Sequence, residues 1–113
     1  MMMNDTVLAT LTRLVTQDQS LCTDWRRLEG FLRDYAGQHR REINVLVTAA
    51  REGVPAELSK VSGSEVAPLV VERLVRRLYD NAGIDQALAR WAVAGWAAAL
   101  GKTVASGTLI SPA

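Results

Sequence analysis

The chain has 113 residues, enough for one domain with its own core, and its 49% hydrophobic and 22% charged residues are ordinary for a globular protein. Thirteen basic residues balance twelve acidic ones, and the net charge of +1 excludes a strong overall field that would attract nucleic acid or acidic lipid. The chain has one cysteine, Cys22, which excludes an internal disulfide. Together with the one histidine, His39, it cannot supply the roughly four ligands of a zinc site. We therefore expect an intracellular, cytoplasmic protein without a metal or another cofactor.

The apolar segments are too short for a membrane protein. The N-terminal sequence MMMNDTVLATLTRLV lacks a basic region followed by a continuous apolar run, so no signal peptide is expected. The longest apolar run, Trp91–Leu100, has about half of the roughly 18 residues that a membrane-spanning helix needs. We expect no membrane association.

Apolar residues at helical spacing predict two helices in the first third of the chain. The first covers Asp5–Val15, is capped by Asn4 or Asp5, and is followed by the polar stretch TQDQS, a fraying end or a loop. The second follows the N-cap Asp24, runs to Ala36, and stops at Gly37 in the left-handed conformation. Its predicted inward face consists of Trp25, Leu28, Phe31, Leu32 and Tyr35.

A third helix is predicted over Arg40–Glu52. It ends there because Gly53 is a stop signal and Pro55 prevents continuation. The segment PAELSK then forms one short turn that begins at Pro55, and Ser62–Ser64 is a loop. The predicted inward face of this helix consists of Ile43, Leu46, Val47 and Ala50.

The next predicted helix covers Glu65–Asn81, with Pro68 in its first turns, where proline is tolerated. Two pairs of opposite charge at i, i+4 spacing, Glu72 with Arg76 and Arg76 with Asp80, stabilise it by a few tenths of a kcal/mol each. Its predicted inward residues are Leu69, Val70, Leu74, Val75 and Leu78.

The last predicted helix, Asp85–Leu100, is apolar almost all round, which is typical of a helix buried on several sides. It contains a row of small residues, Ala92, Gly95 and Ala99, past which another backbone can approach closely. The sequence therefore predicts an all-α fold. We expect a compact bundle of five or six short helices over residues 1–101, with the helices at 40–52 and 85–100 in its centre. A flexible tail or linker follows over residues 102–113.

No residue pattern indicates catalysis. Neither His39 nor Cys22 has a recognisable nucleophile, base or orienting partner beside it in the sequence. The stretches SGSE and DNAG match neither phosphate-binding glycine motif, and the acidic residues show no metal-ligand spacing. The chain is therefore expected not to be an enzyme.

The candidate partner-binding residues are tryptophans and arginines. Trp91 and Trp96 are about 140° apart around one helix, so either both lie in the core or one is left for a partner. Three Arg-Arg pairs provide either ion-paired helix faces or a phosphate-binding surface: Arg26-Arg27, Arg40-Arg41 and Arg76-Arg77. The balanced net charge makes nucleic acid the weaker alternative. The candidate residues are Trp91, Trp96, Arg40, Arg41, Arg76 and Arg77.

Two segments of the chain carry a resemblance to known proteins: LRDYAGQHRREINVLVTAAREGVPAEL, from Leu32 to Leu58, and LVRRLYDNAGIDQALARWAVAGWAAALG, from Leu74 to Gly101. Together they resemble a poorly characterised family of bacterial all-helical modules. The most specific features are REINVL, GVPAEL and ARWAV..WA.ALG in this order. In place of the acidic residue and serine that relatives often carry before the second tryptophan, this chain has Ala94 and Gly95.

The resemblance implies an accessory domain at one end of signalling proteins, fused to Ser/Thr kinase, Hsp70-like and related domains. We accordingly expect a non-enzymatic adaptor or targeting module that binds another protein or an attached signalling domain. The alternatives are homodimerisation, through the row of small residues or a tryptophan, and nucleic-acid binding through the arginine pairs.

Overall fold

The structure, a computed structural model, describes residues 5–104. This part of the chain forms six α-helices, one short 3₁₀ helix and two strands of two residues each. The helices are α1 (Asp5–Gln17), α2 (Trp25–Ala36), α3 (Arg40–Arg51), α4 (Val54–Ser59), α5 (Pro68–Ala82) and α6 (Gln86–Ala99); the 3₁₀ helix is Gln19–Cys22, and the strands are β1 (Glu65–Val66) and β2 (Thr103–Val104). The predicted all-α bundle is therefore confirmed.

The helix boundaries follow the predicted cap residues closely. The side chain of Asp24 accepts a hydrogen bond from the Arg27 backbone N–H, and that of Asp85 accepts one from the Ala87 backbone N–H. Each bond satisfies a backbone donor that the first helical turn leaves free. Gly53 separates α3 from α4 with φ +86°, a left-handed conformation that glycine adopts without steric cost.

Gly37 ends α2 for a different reason from the predicted one. Its φ is −58°, so the expected left-handed conformation is wrong. A Cβ atom at this position would lie 2.5 Å from the backbone oxygen of Arg33. Glycine is thus required here because the chain turns tightly against α2.

The segment after α1 is ordered rather than frayed. The carboxylate of Asp18 accepts hydrogen bonds from the backbone N–H and the hydroxyl of Ser20, at 3.1 and 2.6 Å. These two bonds start the 3₁₀ helix, and Leu21 within it is buried. A single apolar residue gives no helical period, so the sequence did not reveal this element.

Helix α5 starts at Pro68, three residues later than predicted, because Glu65 and Val66 are extended. They pair in parallel with Thr103 and Val104, which the sequence placed in the tail. The ordered domain therefore continues past Gly101 to at least Val104, and the rest of the predicted tail lies outside the described residues.

Helix α6 occupies the centre, as predicted, and packs against α1, α3, α4 and α5. Trp96 is the largest fully buried side chain. The inward face predicted for α3 is buried, and α1 adds Val7, Leu11, Leu14 and Val15 to the same core. None of the helices within residues 5–104 is long and apolar enough to cross a membrane.

The row of small residues on α6 is used inside the fold. Ala92, Gly95 and Ala99 are all buried, and a Cβ atom at Gly95 would lie 2.5 Å from Cδ2 of Leu8 on α1. The side chains that cover Gly95 are those of Leu8 on α1 and Leu46 on α3. Homodimerisation through the row, one of the alternatives from the sequence, is therefore wrong for this fold.

Candidate interaction surface

The two tryptophans of α6 have different environments. Trp96 is completely buried, and its indole Nε1 donates a hydrogen bond of 3.0 Å to the backbone oxygen of Leu46. Trp91 is half-buried and packs against the edge of the core. Of the two predicted partner-binding tryptophans, only Trp91 reaches the surface.

The N-terminal arginine pair of α2 is engaged within the domain. Arg26 stacks on the Trp25 ring at 5.3 Å, and Arg27 lies 5.9 Å from the Phe31 ring centre and 3.4 Å from the Asp18 carboxylate. Arg51 lies on Trp25 as well, at 5.1 Å. These guanidinium groups cover aromatic rings, which is a packing role.

The other two pairs lie in separate places. Arg40 and Arg41 are exposed at the start of α3, where Arg40 and Arg33 line a cleft beside the turn at Gly37. Arg77 is half-buried and donates a 3.1 Å hydrogen bond to the backbone oxygen of Glu52. Its neighbour Arg76 is exposed and makes no ion pair within residues 5–104. The structure therefore does not gather the arginine pairs into one basic patch.

Helix α5 packs chiefly on α6 and leaves its outer side uncovered. Leu69 is 78% exposed and Tyr79 is 52% exposed. The prediction that Leu69 points inward is wrong, because Val71, two residues later and about 200° round the helix, takes the inner position. The buried stripe of α5 consists of Val71, Leu74, Val75 and Leu78.

Four residues at spacings of three, four and three form one stripe along the outside of α5, and we call this stripe the α5 outer face: Leu69, Glu72, Arg76 and Tyr79. The spacing is that of the contact positions of a coiled-coil helix. The apolar side chains lie at the ends of the stripe, with one acidic and one basic residue between them. A groove between α5 and α6 runs beside it and is lined by Glu72, Arg76, Tyr79 and Arg90, among others.

One ion pair fixes the acidic residue of this face. Arg90 of α6 donates two hydrogen bonds to the Glu72 carboxylate, at 2.6 and 3.0 Å. The Arg90 hydrogen bonds hold the pKa of the Glu72 carboxyl below its usual value, and the same bonds raise the pKa of Arg90. Glu72 therefore stays charged and oriented. The predicted i, i+4 partner of Glu72, Arg76, is left free by this arrangement.

A second exposed aromatic residue lies on another side of the domain. Tyr35, predicted to face inward, is 60% exposed instead, and the guanidinium of Arg13 lies 5.7 Å from its ring centre. Ala36, the next residue, takes the buried position at the end of α2. Tyr35 has no exposed apolar partner on its own helix, so it does not extend into a stripe as Tyr79 does.

The side chains considered for catalysis are those of His39 and Cys22. His39 is half-buried, and its Nε2 lies 3.4 Å from the side-chain amide of Gln38. Burial raises the pKa of the Cys22 thiol, which reduces the fraction of nucleophilic thiolate at neutral pH. Within residues 5–104, no three His, Cys, Asp or Glu side chains come together as a metal site.

No family model, curated protein or solved structure matches this chain. The resemblance to bacterial accessory modules stays a prediction.

Proposed function

We propose that this chain is a non-enzymatic protein–protein interaction module and that the α5 outer face contacts its partner. The observation that supports this function is the exposure of Leu69 and Tyr79 at 78% and 52% on one helix. Most of the other large apolar side chains of residues 5–104 are buried or packed against the core. Because Leu69 and Tyr79 lie on the same side of one helix at coiled-coil spacing, both can contact one partner together.

The composition of the face also supports recognition of a protein. Tyrosine and arginine are enriched among residues that dominate binding energy, and Leu69 adds an apolar anchor. Arg76 and the Glu72–Arg90 pair provide charges at the rim, where they select a partner and fix its orientation.

The resemblance described above supports a proposal about the larger proteins in which this module occurs. It supports an accessory domain of cytoplasmic bacterial signalling proteins, in which binding brings an attached domain to its client. Nucleic-acid binding is the weaker proposal, because Arg26, Arg27 and Arg77 already contact rings, carboxylates or carbonyl oxygens of this chain.

Two tyrosines allow a matched test of this function. A photo-reactive benzoylphenylalanine replaces Tyr79 on the α5 outer face or, as the control, Tyr35, which is similarly exposed elsewhere. We expect irradiation in the native host to join the Tyr79 variant, but not the Tyr35 variant, to one protein that mass spectrometry identifies. Arg76→Glu should then weaken binding of that purified protein by about ten-fold or more. Identical adducts from both positions, or none from Tyr79, would overturn the proposed function.

A further inference from the structure

The α5 outer face is symmetric about Leu74. Leu69 and Tyr79 lie five residues before and after this position, and Glu72 and Arg76 lie two residues before and after it. An antiparallel copy of the same helix, related by a two-fold axis at the level of Leu74, therefore presents a complementary residue at every position of the stripe. Such self-complementarity is the requirement of an isologous dimer interface.

We infer that the partner of the α5 outer face is a second copy of this chain, packed with α5 antiparallel to α5. Leu69 then lies opposite Tyr79 of the second copy, and Glu72 lies opposite its Arg76. The two-fold axis repeats both contacts, so the interface contains two apolar pairs and two ion pairs. This inference rests on the proposed function, because it uses the same face, and it adds the identity of the partner.

Charge supports the antiparallel direction. In a parallel pair, Glu72 would meet Glu72 and Arg76 would meet Arg76, and like charges in register are unfavourable. In the antiparallel pair, the free guanidinium of Arg76 reaches a carboxylate that Arg90 already holds in place at 2.6 Å. Each carboxylate would then be shared by two arginines, one from each chain.

Arg73 lies beside the two-fold axis, where it would approach the Arg73 of the second copy. Its guanidinium is directed towards α4, however, and lies 3.5 Å from the Glu57 carboxylate. The same carboxylate lies 3.9 Å from the Arg77 guanidinium, so it offsets the Arg73 charge only in part within its own chain. Of the two charged residues of the α5 outer face, Arg76 is the one without an ion pair within residues 5–104, and the second copy supplies one.

The size of the face sets the expected affinity. Helix α5 has 15 residues, so it is about 22 Å long, and a single pair of such helices buries less than the roughly 1,200–2,000 Å² of a standard interface. We therefore expect a reversible dimer with a Kd between about 10 µM and 1 mM. An attached domain or a high local concentration would make such a weak contact effective.

Complementary charge reversals test the register directly. Glu72→Arg gives a chain with two basic residues in the stripe, and Arg76→Glu gives one with two acidic residues. Each variant alone places like charges against itself, so we expect its self-association to weaken by about ten-fold or more relative to the natural sequence. In a 1:1 mixture, both cross-chain contacts become Arg–Glu pairs again, and we expect dimerisation to return. Sedimentation velocity over about 10 µM to 1 mM measures all three.

Two further variants separate this result from unfolding. Leu69→Ser changes a side chain that is 78% exposed, so it should leave far-UV circular dichroism unchanged and still weaken the dimer. Lys60→Glu is the matched charge-reversal control, since Lys60 is exposed at the end of α4, and its dimerisation should equal that of the natural sequence.

Each contrary outcome overturns the inference. A natural chain that stays monomeric at 1 mM, single variants that still dimerise, or a mixture that does not recover would each exclude this antiparallel pairing. If the Tyr79 photo-cross-link then joins a different protein, the proposed function stands and only the identity of the partner is wrong. If it joins nothing, both fail.

Discussion

The indole of Trp96 and the backbone of Leu46 join the two central helices: Nε1 donates a 3.0 Å hydrogen bond to the Leu46 oxygen in a fully buried site. Trp96→Phe removes this bond and leaves a smaller ring in the same space. We expect it to lower the free energy of unfolding by about 1–3 kcal/mol. Urea denaturation followed by far-UV circular dichroism measures the change.

Trp91→Phe is the matched control for this prediction. Trp91 lies on the same helix but is only half-buried, so its replacement should cost less than about 1 kcal/mol. An equal decrease in the free energy of unfolding for the two variants would contradict the distinction between a core and an edge tryptophan. Both measurements belong at low protein concentration, where the proposed dimer is dissociated.

The close approach of α1 to α6 predicts different effects for two glycine replacements. Gly30→Ala in α2 meets no atom within 4 Å, so it should stabilise the protein by about 0.5–1 kcal/mol through helix propensity. Gly95→Ala places its Cβ 2.5 Å from Cδ2 of Leu8, which must rotate away. We expect it to be at least about 1 kcal/mol less favourable than Gly30→Ala.

Thermal unfolding checks this prediction. It is measured for both glycine variants, for Leu8→Ala and for the double variant Leu8→Ala/Gly95→Ala. The Leu8→Ala replacement removes the clashing methyl group, so Gly95→Ala should be tolerated better in that background than in the natural chain, as a double-mutant cycle measures. A stabilising Gly95→Ala in the natural background would show that α1 does not pack closely on this row.

The helices were predictable because local sequence determines them. Asp24 and Asp85 cap α2 and α6 as expected, and the apolar period of α3 matches its buried face. Each of these features depends on residues within one or two helical turns, which a single sequence contains.

The errors share one cause, which is that tertiary contacts decide between locally equivalent choices. Leu69 and Val71 are both apolar residues of α5, and only packing on α6 shows that Val71 is inside. Glu72 prefers Arg90, 18 residues away, to Arg76 on its own helix. The sequence contains the spacing of three, four and three, but the exposure of the α5 outer face depends on tertiary packing and was therefore not predicted. A second stripe that has apolar residues at its ends, on a helix that already has a buried stripe, indicates such a face.

Two carboxylates predict that stability falls at acid pH. Hydrogen bonds from Ser20, and the nearby Arg27, lower the pKa of Asp18; hydrogen bonds from Arg90 lower that of Glu72. Because both values are lower in the folded chain, the stabilisation is present above the unfolded values of about 4 and is lost as pH falls through the folded ones. The free energy of unfolding should therefore decrease below about pH 4.

Neutral replacements identify the groups responsible. At pH 7, Asp18→Asn and Glu72→Gln should each be less stable than the natural chain, and each difference should shrink as pH approaches about 2, where the natural carboxyls are protonated as well. Urea denaturation at a series of pH values measures this. A difference that stays constant with pH would mean that the pKa values of these carboxyls are unchanged by folding.

Lys102 joins the end of α6 to the loop before β1. Its Nζ donates hydrogen bonds to the backbone oxygens of Val61 and Gly63, at 3.0 and 2.7 Å. Lys102→Met keeps the length of the stem and removes both bonds, so we expect a loss of about 1–3 kcal/mol. Hydrogen exchange should also become faster at the Thr103 amide, which donates to Ser64 in the β1–β2 pairing.

Lys60→Met is the control, because Lys60 is exposed and its side chain makes no hydrogen bond or ion pair within residues 5–104. Its stability should stay within about 0.5 kcal/mol of the natural chain. Unchanged exchange at Thr103 in the Lys102 variant would show that the strand pairing holds without the lysine.

The thiol of Cys22 should be unreactive while the chain is folded. Cys22 lies half-buried near Leu100 and Lys102, and burial raises the pKa of its thiol. Since the thiolate is the reacting species, modification by a disulfide reagent at pH 7.5 should be about ten-fold or more slower in buffer than in concentrated urea. The absorbance of the released chromophore measures both rates. Equal rates would show that the thiol is freely accessible and that the segment around the 3₁₀ helix opens readily in the folded chain.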